Sequence, residues 1–214
     1  MPSSATLIRL IQLLVAWLVV QTTVVVVLGY CDYLPPNFRA DFLLGRRDYF
    51  FGPYQWAFYA HIFSGPVTLL LGLVLLSDAA RLRFPMWHRR LGRVQGVLVL
   101  LLVAPSGLWM AGYAPGMIAQ SGFATLALAT GGCAAMGWRD AVRRRFESHR
   151  WWMLRCYALL CSAVLLRLIG GLSELTGAHW TYPLAAWISW MLPLAGVELW
   201  RVTRLRRLLH ALQS

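Results

Sequence analysis

The sequence predicts an all-α fold, a polytopic membrane helix bundle of about six transmembrane helices, and three observations carry that prediction. Of the 214 residues, 59% are hydrophobic and 13% are charged. The mean hydropathy is +0.58, and the apolar share lies above the roughly 45–50% of soluble domains. Apolar runs follow one another with short connections, each about 20 residues long and so able to cross a hydrocarbon core about 30 Å thick. The net charge of +12 comes from twenty basic residues, all arginine, against eight acids, and the arginines gather between the runs at 81–93, 139–150 and 201–207. Basic connections of this kind set topology, some of them against anionic lipid head groups, and they call for no nucleic-acid partner.

The first run, 10–28, is too long for a signal peptide, and no small-residue cleavage pattern follows it. It is expected to remain as a helix. The connection 30–54 carries Arg39, Arg46 and Arg47 against Asp32, Asp41 and Asp48, so it is locally neutral and expected to face outward. Its stretch "DFLLGRRDYFFGPYQW" suits a short helix or turn in the interface, or an ordinary amphipathic loop beneath an aromatic belt. Runs 55–77, 94–113, 118–138 and 152–172 form an expected four-helix core, 55–172. Runs 10–28 and 182–200 flank it within a single integral membrane domain. With the arginine-rich connections cytoplasmic, both termini are cytoplasmic, and the expected location is the bacterial inner membrane.

Smaller features fit this threading. Pro105 and Pro193 are expected to bend their helices, and the eleven tryptophans mostly mark segment ends. Of Cys31, Cys133, Cys156 and Cys161 only Cys31 faces outward, so no disulfide framework is implied. There is no internal repeat, no phosphate-cradling glycine loop and no Ser-His-Asp pattern near a turn. Hydrolytic catalysis therefore has no support.

Polar residues within apolar runs need a separate account. His88 and His149 open the third and fifth segments on the cytoplasmic side, at similar expected depths. Two imidazoles at one depth are able to grip a haem iron from opposite sides. Gly92, Gln95 and Gly96 share a helical face with His88, and Trp152, Met153 and Cys156 share one with His149. Glycines admit a flat macrocycle, and Arg89, Arg93, Arg150 and Arg155 suit propionates. The bland alternative is equally concrete: small residues at four-residue spacing pack helices, and boundary histidine, arginine and tryptophan are interfacial anchors.

His61 lies inside the outer end of the second segment, with Gly65, Thr68 and Gly72 along its face. Arg167 follows Arg155 by twelve residues, about 18 Å along a helix, which sets it inside the outer leaflet. A charge there is a functional-site candidate unless it has a structural partner, for which Glu174 is the nearest acid. His61 and Arg167 together suggest an outer polar pocket for a small anion, a quinone carbonyl or a propionate. Glu198 is expected to neutralise Arg155 or Arg201. His179 falls in the last outward connection and His210 in the tail.

The ordered set "HIFSGPVTLLLG" from His61, "HRRLGR" from His88, Gly122–Phe123, "HRWWMLR" from His149 and the later Arg167 resembles a family of predicted bacterial multi-pass membrane proteins, domain of unknown function 2306. The resemblance covers about 61–168 and leaves the first and last helices outside. It implies a helical core with His61, His88, Arg89, Gly92, Arg93, His149, Trp152, Met153, Arg155 and Arg167 as signature positions, and it implies no activity. A looser similarity is to haem-carrying bundles of the cytochrome b561 type, which place ligand pairs within their helices; here only the inner pair matches in depth.

The functional expectation is electron transfer through a haem b held by His88 and His149, with a quinone exchanging electrons near His61 and Arg167. The alternatives are a non-catalytic assembly or partner-binding factor and a small permease. Zinc or copper without haem is a third, weakened by the scarcity of acids and thiols near the histidines.

Overall fold

The structure is a computed structural model that describes residues 4–40, 42–177 and 181–213, without the side chains of 4, 5, 7, 8, 205 and 207–213. His179, Asp41 and the His210 side chain therefore lie outside the described residues.

Among the described residues six long helices occupy the six apolar runs: α1 Ser4–Leu28, α2 Pro53–Leu76, α3 Pro85–Ala111, α4 Met117–Val142, α5 Phe146–Thr176 and α6 Tyr182–Gln213. Among the described residues α1, α2, α3 and α5 are both long and apolar enough to cross a membrane. The other two have the length, at 26 and 32 residues. Their hydropathy is diluted in α4 by Gln120, Ser121, glycine and threonine and in α6 by Trp187, Trp190, Trp200, Pro193 and Glu198.

Local chemistry sets the boundaries. Pro53 and Pro85 stand in the first turns of α2 and α3, where a missing N–H costs nothing. The Ser77 hydroxyl accepts from the Ala80 N–H and caps a short helix, Asp78–Arg83, that joins α2 to α3. Gly177, in the left-handed region at φ 69°, ends α5. Both histidine motifs sit inside helices and not in the connections ahead of them, since His88 and His149 are each the fourth residue of α3 and α5. A π-turn at Val99–Val103 stands just before Pro105, where a bend is expected. A widened turn accommodates the absent donor and the ring. Pro66 and Pro193 lie within α2 and α6.

The chain divides into two compact units, 1–110 and 111–214. In the first, α2 packs against both α1 and α3. The buried Gln95 of α3 donates through Nε2 to the Thr68 carbonyl of α2 at 3.1 Å. The connection 30–54 is folded, not a bare loop: Leu43, Phe50, Tyr54 and Phe58 are buried together, with Tyr33, Phe38 and Tyr59 packed around them. Arg46 holds this cluster, its guanidinium 4.6 Å from the Phe42 ring centre and 3.0 Å from the Tyr49 hydroxyl. Edge-to-face pairs such as Phe38–Phe50 at 5.3 Å add about 0.5–1.5 kcal/mol each beyond burial.

In the second unit α4, α5 and α6 pack pairwise. The buried face of α4 includes the small residues Ala119, Gly122, Ala127, Thr130, Ala134 and Gly137, three to five apart. Apolar side chains gain little by leaving lipid, so close backbone approach and polar ties hold such helices together.

Candidate functional site

Some of the signature residues fall on the polar ties. In the second unit α5 runs antiparallel to α4, and the histidine motif lies along their contact. His149 Nδ1 is 2.8 Å from the Gly137 carbonyl oxygen. A carbonyl only accepts, so Nδ1 carries the hydrogen and the neutral ring keeps its lone pair on Nε2. One turn on, Met153 covers the same glycine: a Cβ on Gly137 would stand 2.6 Å from Met153 Sδ.

The next turn carries the charge. Arg155 lies 4.8 Å from the Trp152 ring centre and grips Glu198 of α6 with two donors, Nε to Oε1 and Nη2 to Oε2, the latter at 3.0 Å. Arg201 approaches the same carboxylate at 4.0 Å, so Glu198 serves both expected partners. At the α4–α5 corner the Ser148 hydroxyl donates to Asp140 at 2.5 Å, and Arg139 donates to its other oxygen at 3.2 Å. Asp140 is 1% exposed and follows the apolar part of α4. The Ser148 hydrogen bond first, then Arg139, holds its carboxyl below the usual carboxylate range, against the opposing effect of desolvation.

In the first unit His61 Nδ1 lies 3.0 Å from the buried Ser106 Oγ of α3. The Ser106 hydroxyl itself donates to the Leu102 carbonyl at 2.5 Å. Its hydrogen is thereby spoken for, and Nδ1 of His61 is the donor in the contact. His88 lines an apolar pocket of about 290 Å³ with Val74, Leu75, Ala80, Phe84, Trp87 and Leu91. Arg89 and Arg93 are exposed, and Gly92 is half-buried, with open space within 4 Å of where a methyl group would stand.

Arg167 is exposed on α5 and donates to the Ala163 carbonyl at 2.9 Å. Among the described ion pairs none joins it to Glu174. Of the sequence candidates, His149, Trp152 and Met153 lie against Gly137 of α4, and Arg155, on the same helix, faces Glu198 of α6. His61 and His88 belong to unit 1–110, His149 and Arg167 to unit 111–214. Among the described residues no three His, Cys, Asp or Glu side chains cluster as a metal site, and all four cysteines are free.

Sequence reasoning missed Gly137, Ser106 and the Asp140–Ser148 pair. Gly137 carried a usable signal, since it continues the small-residue spacing of α4 from Gly122 through Thr130. Ser106 had none, because pairing it with His61 depends on how α3 lies on α2.

These features define a class: an all-helical, multi-pass membrane protein in which His61, His149 and Arg155 sit at helix contacts. The chain belongs to the predicted membrane protein family DUF2306, whose model matches residues 58–201. This corrects the resemblance drawn from the motifs, which left the last helix outside. The match takes in most of α6, and the physical reason is visible: Glu198 answers Arg155, and Ala186 and Trp187 close on Gly122. No curated protein and no solved structure matches the chain.

Proposed function

We propose that this integral membrane protein transfers electrons through a haem b ligated by His149, in the bacterial inner membrane with its arginine clusters cytoplasmic. One observation carries the reading: the Gly137 carbonyl fixes His149 as the Nδ1–H tautomer and orients the ring. A backbone carbonyl on the far nitrogen is the arrangement that ligating imidazoles use, because it raises the basicity of Nε2 and holds its direction. The donor set fits haem better than a bare metal, given one oriented imidazole and no cluster of acids or thiols among the described residues. Bound haem would supply one-electron exchange at iron, with potential tuned by axial ligand and surrounding charge. The chain's own residues orient the ligand and supply arginine charge, and a membrane quinone is the partner class that such a carrier suits.

A second reading has its own support. His149, Met153 and Arg155 each tie α5 to a neighbour, and that work needs no cofactor. A partner-binding factor or small permease would use the signature in this way.

The test is an absorption spectrum of the full chain, purified in mild detergent after expression with ample haem supply, oxidised and then dithionite-reduced. A stoichiometric Soret band with a sharp reduced α band, lost in a helical His149→Ala variant, is the expected result. A folded wild-type protein without colour overturns the haem reading in favour of the second.

A further inference from the structure

We propose that the pocket around His88 holds an acyl chain of an anionic phospholipid, with the lipid phosphate resting on Arg83 and Arg90. The pocket lies where α2 ends and α3 begins, and its lining is apolar except for the His88 ring. At about 290 Å³ it has room for a stretch of acyl chain. Two of its lining rings carry a guanidinium on their faces, Arg83 over Phe84 at 5.5 Å and Arg90 over Trp87 at 5.7 Å. Stacking holds both cations beside the apolar cavity and engages the guanidinium faces, which leaves the edge donors for an anion.

The charge around this place supports one kind of occupant. Segment 78–93 holds five arginines and one acid, Asp78, and Asp78 already pairs with Arg81 at 2.9 Å. An uncharged lipid would leave the stacked arginines without a counter-charge, and a free phosphate would leave the cavity without an apolar guest. A diacyl lipid with a single phosphate negative charge answers both. Juxtamembrane arginines attract anionic lipids in general, but the adjoining cavity turns attraction into a site with a shape. The inference does not depend on haem.

The experiment measures the melting temperature of delipidated full-length protein in uncharged detergent. Four probes are added separately: phosphatidylglycerol, phosphatidylcholine with the same acyl chains, glycerol phosphate, and a short-tailed benzoquinone. The expected result is a rise with phosphatidylglycerol alone. Ala80→Leu, which fills the cavity, removes that rise. The surface pair Arg83→Gln and Arg90→Gln abolishes the preference for phosphatidylglycerol over phosphatidylcholine, and supplies the test should Ala80→Leu not fold. Equal rises with both lipids, a rise with glycerol phosphate, or a phosphatidylglycerol rise that survives both sets of substitutions overturns the proposal. A rise with the quinone and none with phosphatidylglycerol overturns it in favour of a neutral ring as guest.

Discussion

Asp140 shows how a single carboxylate secures the corner between α4 and α5. It accepts from Ser148 and Arg139, and both contacts favour the ionised form. A carboxyl held below its ordinary value of about 3.9 contributes stability that is complete above that value and is lost as pH falls through the lower folded value. Between about pH 5 and 8 the contribution is constant, because Asp140 is ionised whether the chain is folded or not. Melting temperatures from neutral to acid pH should therefore fall more steeply for the wild type than for Asp140→Asn, with the two curves converging in acid. Parallel curves would show that Asp140 carries no such linkage. The geometry of this pair was hidden in the sequence, where Asp140 and Ser148 stand eight residues apart across a basic run with no local pattern joining them.

Two glycines of α4 make separable predictions about how helices meet. At Gly137 a methyl group would run into Met153 Sδ at 2.6 Å, near the free end of a flexible side chain. At Gly122 it would meet the Trp187 ring nitrogen at 3.0 Å and the Ala186 carbonyl oxygen at 3.1 Å. Methionine has rotamers to spare, whereas a backbone carbonyl and an indole tied to the Ile118 carbonyl do not yield. Overpacking costs typically about 1–3 kcal/mol, so Gly137→Ala should fall near the lower end and Gly122→Ala near the upper. Adding Met153→Ala to Gly137→Ala should recover part of the loss, a non-additivity that marks direct contact. Denaturation of the four variants in detergent measures it, and strict additivity would exclude the clash. At this scale the helices themselves were legible, since each of the six runs lies within or nearly within one helix, because apolar length is a local property. What lay beyond reading was the π-turn ahead of Pro105 and the fold of 30–54, where Arg46 and the aromatic and leucine side chains around it organise one another across the turn.

For the molecule as a whole, the sequence carried the identity of the signature residues far better than their roles. HRWWMLR was open to reading as a ligand set or as a packing set, and only the contacts to Gly137 and Glu198 show what its members touch. Topology is the remaining property that charge alone proposes, and the cysteines make it testable. Cys31 is exposed in the short turn after α1, whereas Cys133, Cys156 and Cys161 are buried. If the arginine clusters face the cytoplasm, the 30–54 connection lies outside, and a membrane-impermeant maleimide should label intact spheroplasts at a single thiol. Cys31→Ser should abolish that labelling. Labelling confined to inside-out vesicles would reverse the threading. The side matters beyond topology, because α2 separates Cys31 from the His88 pocket by one membrane crossing. Outside labelling therefore places Arg83 and Arg90 at the cytoplasmic leaflet, where anionic lipid makes the surface negative and a basic pocket has its natural occupant.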